Sequence, residues 1–240
     1  MGNAGEPYWK FRKPKSDSKT IVNPVETDEF DSSKLGMQWQ WQNDYKESYG
    51  QATSMGFFRL FTYALPELGD VSNLWYVPNM LLQKTPADEF TATTKLSFCS
   101  RNSDQYVGLV CMSAEYSSVG LQRTEDGYEL QIRHNPNAMR THLTDEVLTV
   151  DTLKPTQKGT PRKGRPAEMH IKDVYLRMSI KDSKVNYAYS IDGKKWKKAG
   201  GEYAMGKGRW IGSKIGFFAV DLNKTGRKGF IDIDWFRISR

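Results

Sequence analysis

Apolar and polar residues alternate in short runs along most of this chain. Leu35, Met37, Trp39 and Trp41 take every second position, with Gly36, Gln38, Gln40 and Gln42 between them. A period of two puts the first set on one face of a strand and the amides on the other. Phe57–Tyr63 reads as a second strand, and Trp75–Lys84, interrupted by Pro78, as a loop leading into a short one. Phe90–Ser100 alternates again. Tyr106–Met112 is apolar at nearly every position, the pattern of a strand covered on both faces. Val119–Arg123 and Tyr128–Ile132 flank Asp126-Gly127, a strong short-range hairpin signal.

The second half continues in the same way. Val174, Leu176, Met178 and Ile180 alternate with Tyr175, Arg177 and Ser179. Asp182-Ser183-Lys184 turns the chain into Val185–Ser190, and Asp192-Gly193 makes a tight turn before Trp196. Ile211–Val220 and Phe230–Ile238 supply the last strands. About ten or more short strands with turn signals between them, and no amphipathic helix, predict a sandwich or barrel. The connections are too short for helical crossovers, so the pairing is expected to be antiparallel. No internal repeat points to a propeller or solenoid. The predicted fold is an all-β, two-sheet antiparallel β-sandwich.

Residues 1–27 carry Pro7, Pro14 and Pro24 and lack periodicity, so they read as a linker or extended N-terminal arm. The sandwich is assigned to residues 28–240. Within it, Lys154, Lys158, Arg162, Lys163, Arg165 and Lys172 fall in one stretch opposed only by Glu168. Gly159, Pro161, Gly164 and Pro166 are interleaved with them, which predicts an exposed basic loop at about 135–172. This stretch concentrates much of the formal charge of +7. No aromatic or RNA-binding pattern accompanies it, so a nucleic-acid partner is not expected. No apolar run has the ~18 residues of a membrane span. Met1 to Lys19 is polar and shows no signal-peptide core.

Cys99 and Cys111 both lie in apolar strand-like runs, which leaves a disulfide and two buried free thiols equally open. His134, His142 and His170 lie far apart in sequence, so a zinc site is not expected.

Several ordered segments resemble the C-terminal concanavalin-A-like domain of family-43 glycoside hydrolases, the β-xylosidase and α-arabinofuranosidase group. They begin with Asp28-Glu29-Phe30 and Leu35-Gly36-Met37-Gln38-Trp39-Gln40-Trp41. Leu74-Trp75 with Pro78-Asn79 and Gln83-Lys84, and Val107-Gly108-Leu109, follow in the family's order. Tyr189-Ser190-Ile191-Asp192-Gly193 with Trp196, then Trp210 to Gly216, then Asp234-Trp235-Phe236-Arg237, complete the set. The resemblance implies a two-part enzyme. A catalytic β-propeller carries the carboxylates, and the sandwich packs beside it, sometimes lending a loop to the pocket wall. It further implies plant-polysaccharide oligosaccharides of xylan or arabinan type as ligands, and a secreted or periplasmic parent protein.

Glycoside hydrolysis needs two carboxylic groups flanking the scissile bond. Asp232 and Asp234 are expected on one face of the last strand, but nothing in the spacing marks a catalytic pair. No catalytic residue is assigned, and catalysis by this chain alone is not expected. Candidate sugar-binding or pocket-wall residues are Gln38, Gln40 and Gln42, whose amides can hydrogen-bond hydroxyls in both directions, and Arg209 with Trp210 in a glycine-rich stretch. Sandwiches of this type often hold a structural calcium between the first and last strands, which makes Asp28 and Asp234 candidate ligands. The reading is an accessory sandwich module. A free-standing carbohydrate-binding module is the alternative, and a sandwich-fold glycosidase a more distant one.

Overall fold

The computed structural model describes residues 10, 12–15, 17, 20, 23–66, 73–139, 144–162, 166–208, 211–226 and 228–240. The first strands are β1 (Gln40–Trp41), β2 (Gly50–Ala52), β3 (Phe58–Phe61), β4 (Tyr63–Ala64), β5 (Leu81–Lys84), β6 (Phe90–Ser100), β7 (Gln105–Met112) and β8 (Tyr116–Arg123). They are followed by β9 (Tyr128–Asn135), β10 (Glu146–Leu153), β11 (Gln157–Lys158), β12 (Met169–Lys181), β13 (Lys184–Ser190), β14 (Lys197–Ala204), β15 (Lys214–Asp221) and β16 (Phe230–Ser239). One sheet runs β1-β5-β15-β7-β8-β9-β10, with β4 pairing parallel to β15. The other runs β14-β13-β12-β6-β16-β3-β2, with β11 on β12. All the other strand pairings among the described residues are antiparallel, as the short connections predict. This is the two-sheet sandwich expected from the alternation.

The main core lies between the sheets and draws on both, with Phe98, Leu176, Ile231 and Phe236 facing Leu109, Leu121, Leu130 and Phe217. A second apolar cluster covers the opposite face of the first sheet. There Leu65, Leu74, Val77 and Met80 pack on Tyr106, Val110, Met112 and Phe218. Strands β7, β8 and β15 are therefore buried at every position, which is why Tyr106–Met112 shows no alternation. Gly108 and Gly120 face each other in the β7–β8 register. A Cβ on Gly108 would lie 2.1 Å from the Val119 carbonyl oxygen, so only glycine fits that close approach.

Three segments depart from their sequence pattern, each for a physical reason. Leu35–Trp41 is not one strand. The Trp39 amide donates to the Gly36 carbonyl at 3.2 Å, closing a turn that leaves Met37 fully exposed while Trp39 is buried. Phe57–Tyr63 divides at buried Thr62, whose amide donates to the Gly229 carbonyl, so β3 joins one sheet and β4 the other. The stretch expected as a basic loop contains β10, the edge strand of the first sheet, as well as β11. Val147 and Leu148 of β10 are half exposed, so its apolar signal is weak.

The N-terminal entry is pinned at several points. Asp28 and Phe236 exchange backbone hydrogen bonds of 2.8 and 2.7 Å. The Asp28 carboxylate accepts from the Trp39 indole at 2.7 Å, from the Phe30 amide at 2.8 Å and from the Gln38 amide side chain at 3.2 Å. Removing this acceptor leaves the indole N–H of a buried tryptophan without a partner. Asp28→Ala is expected to cost about 1–3 kcal/mol, read as a lower urea midpoint with an unchanged slope, and Asp28→Asn less.

The Asp192-Gly193 turn forms as expected. Asp192 accepts from the amides of Lys194 and Lys195, both at 2.8 Å, and from the Ser190 hydroxyl. These donors hold its carboxyl down at about 2. Because the folded value lies below the unfolded one, this contribution is present above the ordinary aspartate range and is lost as pH falls toward 2. A carboxyl NMR titration should place the Asp192 midpoint near 2, and Ser190→Ala should raise it.

Candidate functional site

Segment 26–29 lies along β16 and the end of β5. The Gln83 side chain donates to the Glu26 carbonyl at 3.1 Å, and the Ile238 amide to the Thr27 hydroxyl at 3.1 Å. Glu29 takes both arms of Arg237 at 2.8 Å, a bidentate pair that lowers the Glu29 pKa. This pinning brings Val25, exposed to 66%, beside the Met37 turn, exposed to 103%. Two adjoining hollows of about 600 and 530 Å³ share Pro24, Val25, Met37 and Gln38. Gln40, Gln83, Lys84 and Arg240 line the second. The result is an apolar ledge bordered by amides and cations.

Gln38 and Gln40 thus meet in one hollow, although Gln38 is tied to Asp28. Gln42 does not join them. Its amide donates to the Trp75 carbonyl at 3.3 Å and its oxygen accepts from the Lys214 ammonium at 2.8 Å. Arg209 and Trp210 lie outside the described residues. So does His142.

The two calcium candidates, Asp28 and Asp234, each have protein partners. Calcium takes six to eight hard oxygens, but the Asp28 carboxylate is already engaged by three N–H donors. Asp234 pairs with Lys95 at 3.0 Å. Asp232 and Asp234 do line one hollow of about 220 Å³, as their spacing predicts. Asp232, however, is clamped by Arg59 at 2.7 and 2.8 Å. Each carboxylate is held by its own cation.

A wider hollow of about 980 Å³ follows the outer face of β8 and β9 and was not foreseen. Arg133 donates to Gln122 at 2.9 Å and to Gln131 at 3.0 Å, and its guanidinium lies 4.2 Å from the Tyr106 ring centroid. Gln131 donates to Glu129 at 2.7 Å. The signal was present in the alternation of Glu129, Gln131 and Arg133. Cys99 and Cys111 are both free and buried. Burial pushes both thiols up to about 12. No helix among the described residues is long and apolar enough to cross a membrane.

The profile of the β-xylosidase C-terminal concanavalin A-like domain family matches residues 27–239. The chain belongs to this family. As a β-xylosidase C-terminal domain it is 27% identical to a β-xylosidase of Formosa agariphila over 97% of its own length, but spans 38% of that protein. It is also 27% identical to a putative β-xylosidase of Xylanibacter ruminicola, spanning 91% of this chain and 35% of the relative. Among solved structures, a xylan β-1,4-xylosidase from Bacillus halodurans superposes with a TM-score of 0.70 at 18% identity, over 95% of this chain and 41% of that one. A GH43 protein from Bacillus licheniformis gives 0.67 at 24% identity, over 92% and 40%. These structures show the fold. The domain therefore accounts for well under half the length of each of these four proteins.

With Asp28 and Asp234 committed to other partners, millimolar calcium should leave the melting temperature of the domain unchanged. A calcium-dependent rise that disappears in Asp234→Asn would establish the site.

Proposed function

We propose that this sandwich is the accessory C-terminal module of a family-43-type glycoside hydrolase, and that the ledge carrying Val25 and Met37 seats it against the catalytic propeller. The observation that carries this reading is the exposed apolar pair at the pinned entry of the chain. A catalytic domain joined through the segment before residue 26 would be held at high local concentration, so a modest apolar contact would suffice to dock it. Gln38, Gln40, Lys84 and Arg240 would form the polar rim. The ion-paired state of Asp232 and Asp234 supports assigning hydrolysis to the partner domain and not to this one.

Carbohydrate binding by the module itself is the second reading. The observation favouring it is the hollow of about 980 Å³ lined by Gln122, Glu129, Gln131 and Arg133, side chains of the types that hydrogen-bond the hydroxyls of xylan- or arabinan-type oligosaccharides once their present pairings rearrange.

Two measurements separate these readings. Titration of the domain with xylo- and arabino-oligosaccharides, beside a hydrolysis assay, should show no turnover, and binding would promote the second reading. In a parent enzyme joined to this module, Met37→Asp should lower the melting temperature and the kcat/KM of the whole protein. The same change should leave the unfolding of the isolated sandwich unaltered. An unaffected parent enzyme would remove the ledge from the docking face.

A further inference from the structure

Cys99 and His170 are far apart in sequence, yet the β6–β12 register sets them directly opposite each other. Cross-strand partners share a face, with Cβ atoms about 4.5–5.5 Å apart. Glu168, two residues before His170, is brought to the same face. The resulting contacts are close. Cys99 Sγ lies 3.4 Å from His170 Nε2, and the same nitrogen lies 2.9 Å from Glu168 Oε1. All three ligand atoms fall within 4.8 Å of one another.

We propose that Cys99, Glu168 and His170 form a binding site for a zinc-class divalent metal ion on the outer face of the second sheet. A thiolate, an imidazole and a carboxylate together suit zinc and cobalt, and not calcium or magnesium. From ordinary zinc bond lengths, a tetrahedral site spaces its sulfur and nitrogen ligands about 3.6 Å apart and its nitrogen and oxygen ligands about 3.3 Å apart. The thiol–imidazole distance already fits this spacing to about 0.2 Å, and the carboxylate needs to withdraw by about 0.4 Å. Water completes the fourth position.

The surroundings meet the other requirements of such a site. Arg101 Nε donates to Glu168 Oε2 at 2.9 Å, which fixes the carboxylate and leaves Oε1 for the ion. A hollow of about 220 Å³ reaches Cys99 and His170, and another of about 720 Å³ reaches Glu168 and Arg101. On binding, the Cys99 S–H bond breaks, its proton leaves to solvent, and the sulfur bonds the metal. His170 contributes the Nε2 lone pair, with its proton on Nδ1. The ion then clips β6 to β12, the strands at the centre of their sheet.

The test uses the untagged chain, stripped of metal and titrated with cobalt(II). The expected result is a thiolate-to-cobalt charge-transfer band that saturates at one equivalent and disappears when zinc is added. Zinc should raise the melting temperature by several degrees, because it binds the folded state alone. Cys99→Ser and His170→Ala should each abolish the band while keeping the native circular dichroism. His134→Ala should keep it, since His134 contacts only the carboxylates of Glu115 and Glu146 among possible ligands. No band and no thermal shift in the wild-type chain would overturn the site. So would a band that survives Cys99→Ser or His170→Ala.

Discussion

The sandwich closes through the Asp28 carboxylate. Its two oxygens hold the Trp39 indole and the Phe30 amide, while its backbone bridges to Phe236 in the last strand. The three aromatic rings fixed this way meet around Phe217. Trp39 lies 5.3 Å from Phe236 and 5.8 Å from Phe217, and Phe30 lies 5.7 Å from Trp39. Phe217 belongs to one sheet and Phe236 to the other, so this cluster locks the two layers together. Phe30 takes a left-handed backbone with φ of 52°, a cost of about 1 kcal/mol or more for a bulky residue. Burial of its ring and the bond from its amide to Asp28 offset that cost.

The same anchor determines where the chain approaches the sandwich. Because residues 26–29 are tied to Gln83, Arg237 and Ile238, the residues just before them emerge beside the Met37 turn. That turn exists because Trp39 is drawn inward to Asp28. One carboxylate thus links the closure of the core to the exposure of Met37, and the candidate docking ledge is a by-product of how the core is sealed.

Most of the fold was legible because burial on one face imposes a period of two. Phe90–Ser100 and the Val174–Ile180 run form central strands β6 and β12, as their alternation predicted. Asp126-Gly127 joins β8 to β9 in the predicted hairpin. Legibility failed where tertiary contacts overrode the period. The alternation through Leu35–Trp41 is broken by a turn, and β10 has too little buried surface to leave a pattern. The candidate sites were harder to read, since a site depends on register as well as on residue type. Gln38, Gln40 and Gln42 share a parity in sequence, yet Gln42 is drawn away by Trp75 and Lys214. Cys99 and His170 looked remote because sequence distance says nothing about which residues a pairing places face to face.

Charge placement argues further for a supporting role. The outer face of the second sheet carries Asp232 and Asp234 close to a thiol and an imidazole, a set that superficially suits catalysis. Yet Arg59 clamps Asp232 and its guanidinium also lies 3.9 Å from the Phe230 ring centroid, while Lys95 holds Asp234 and Asp173 together. Such pairing fixes the carboxylates in place. A rigid face of this kind can hold an ion or a partner in a defined position.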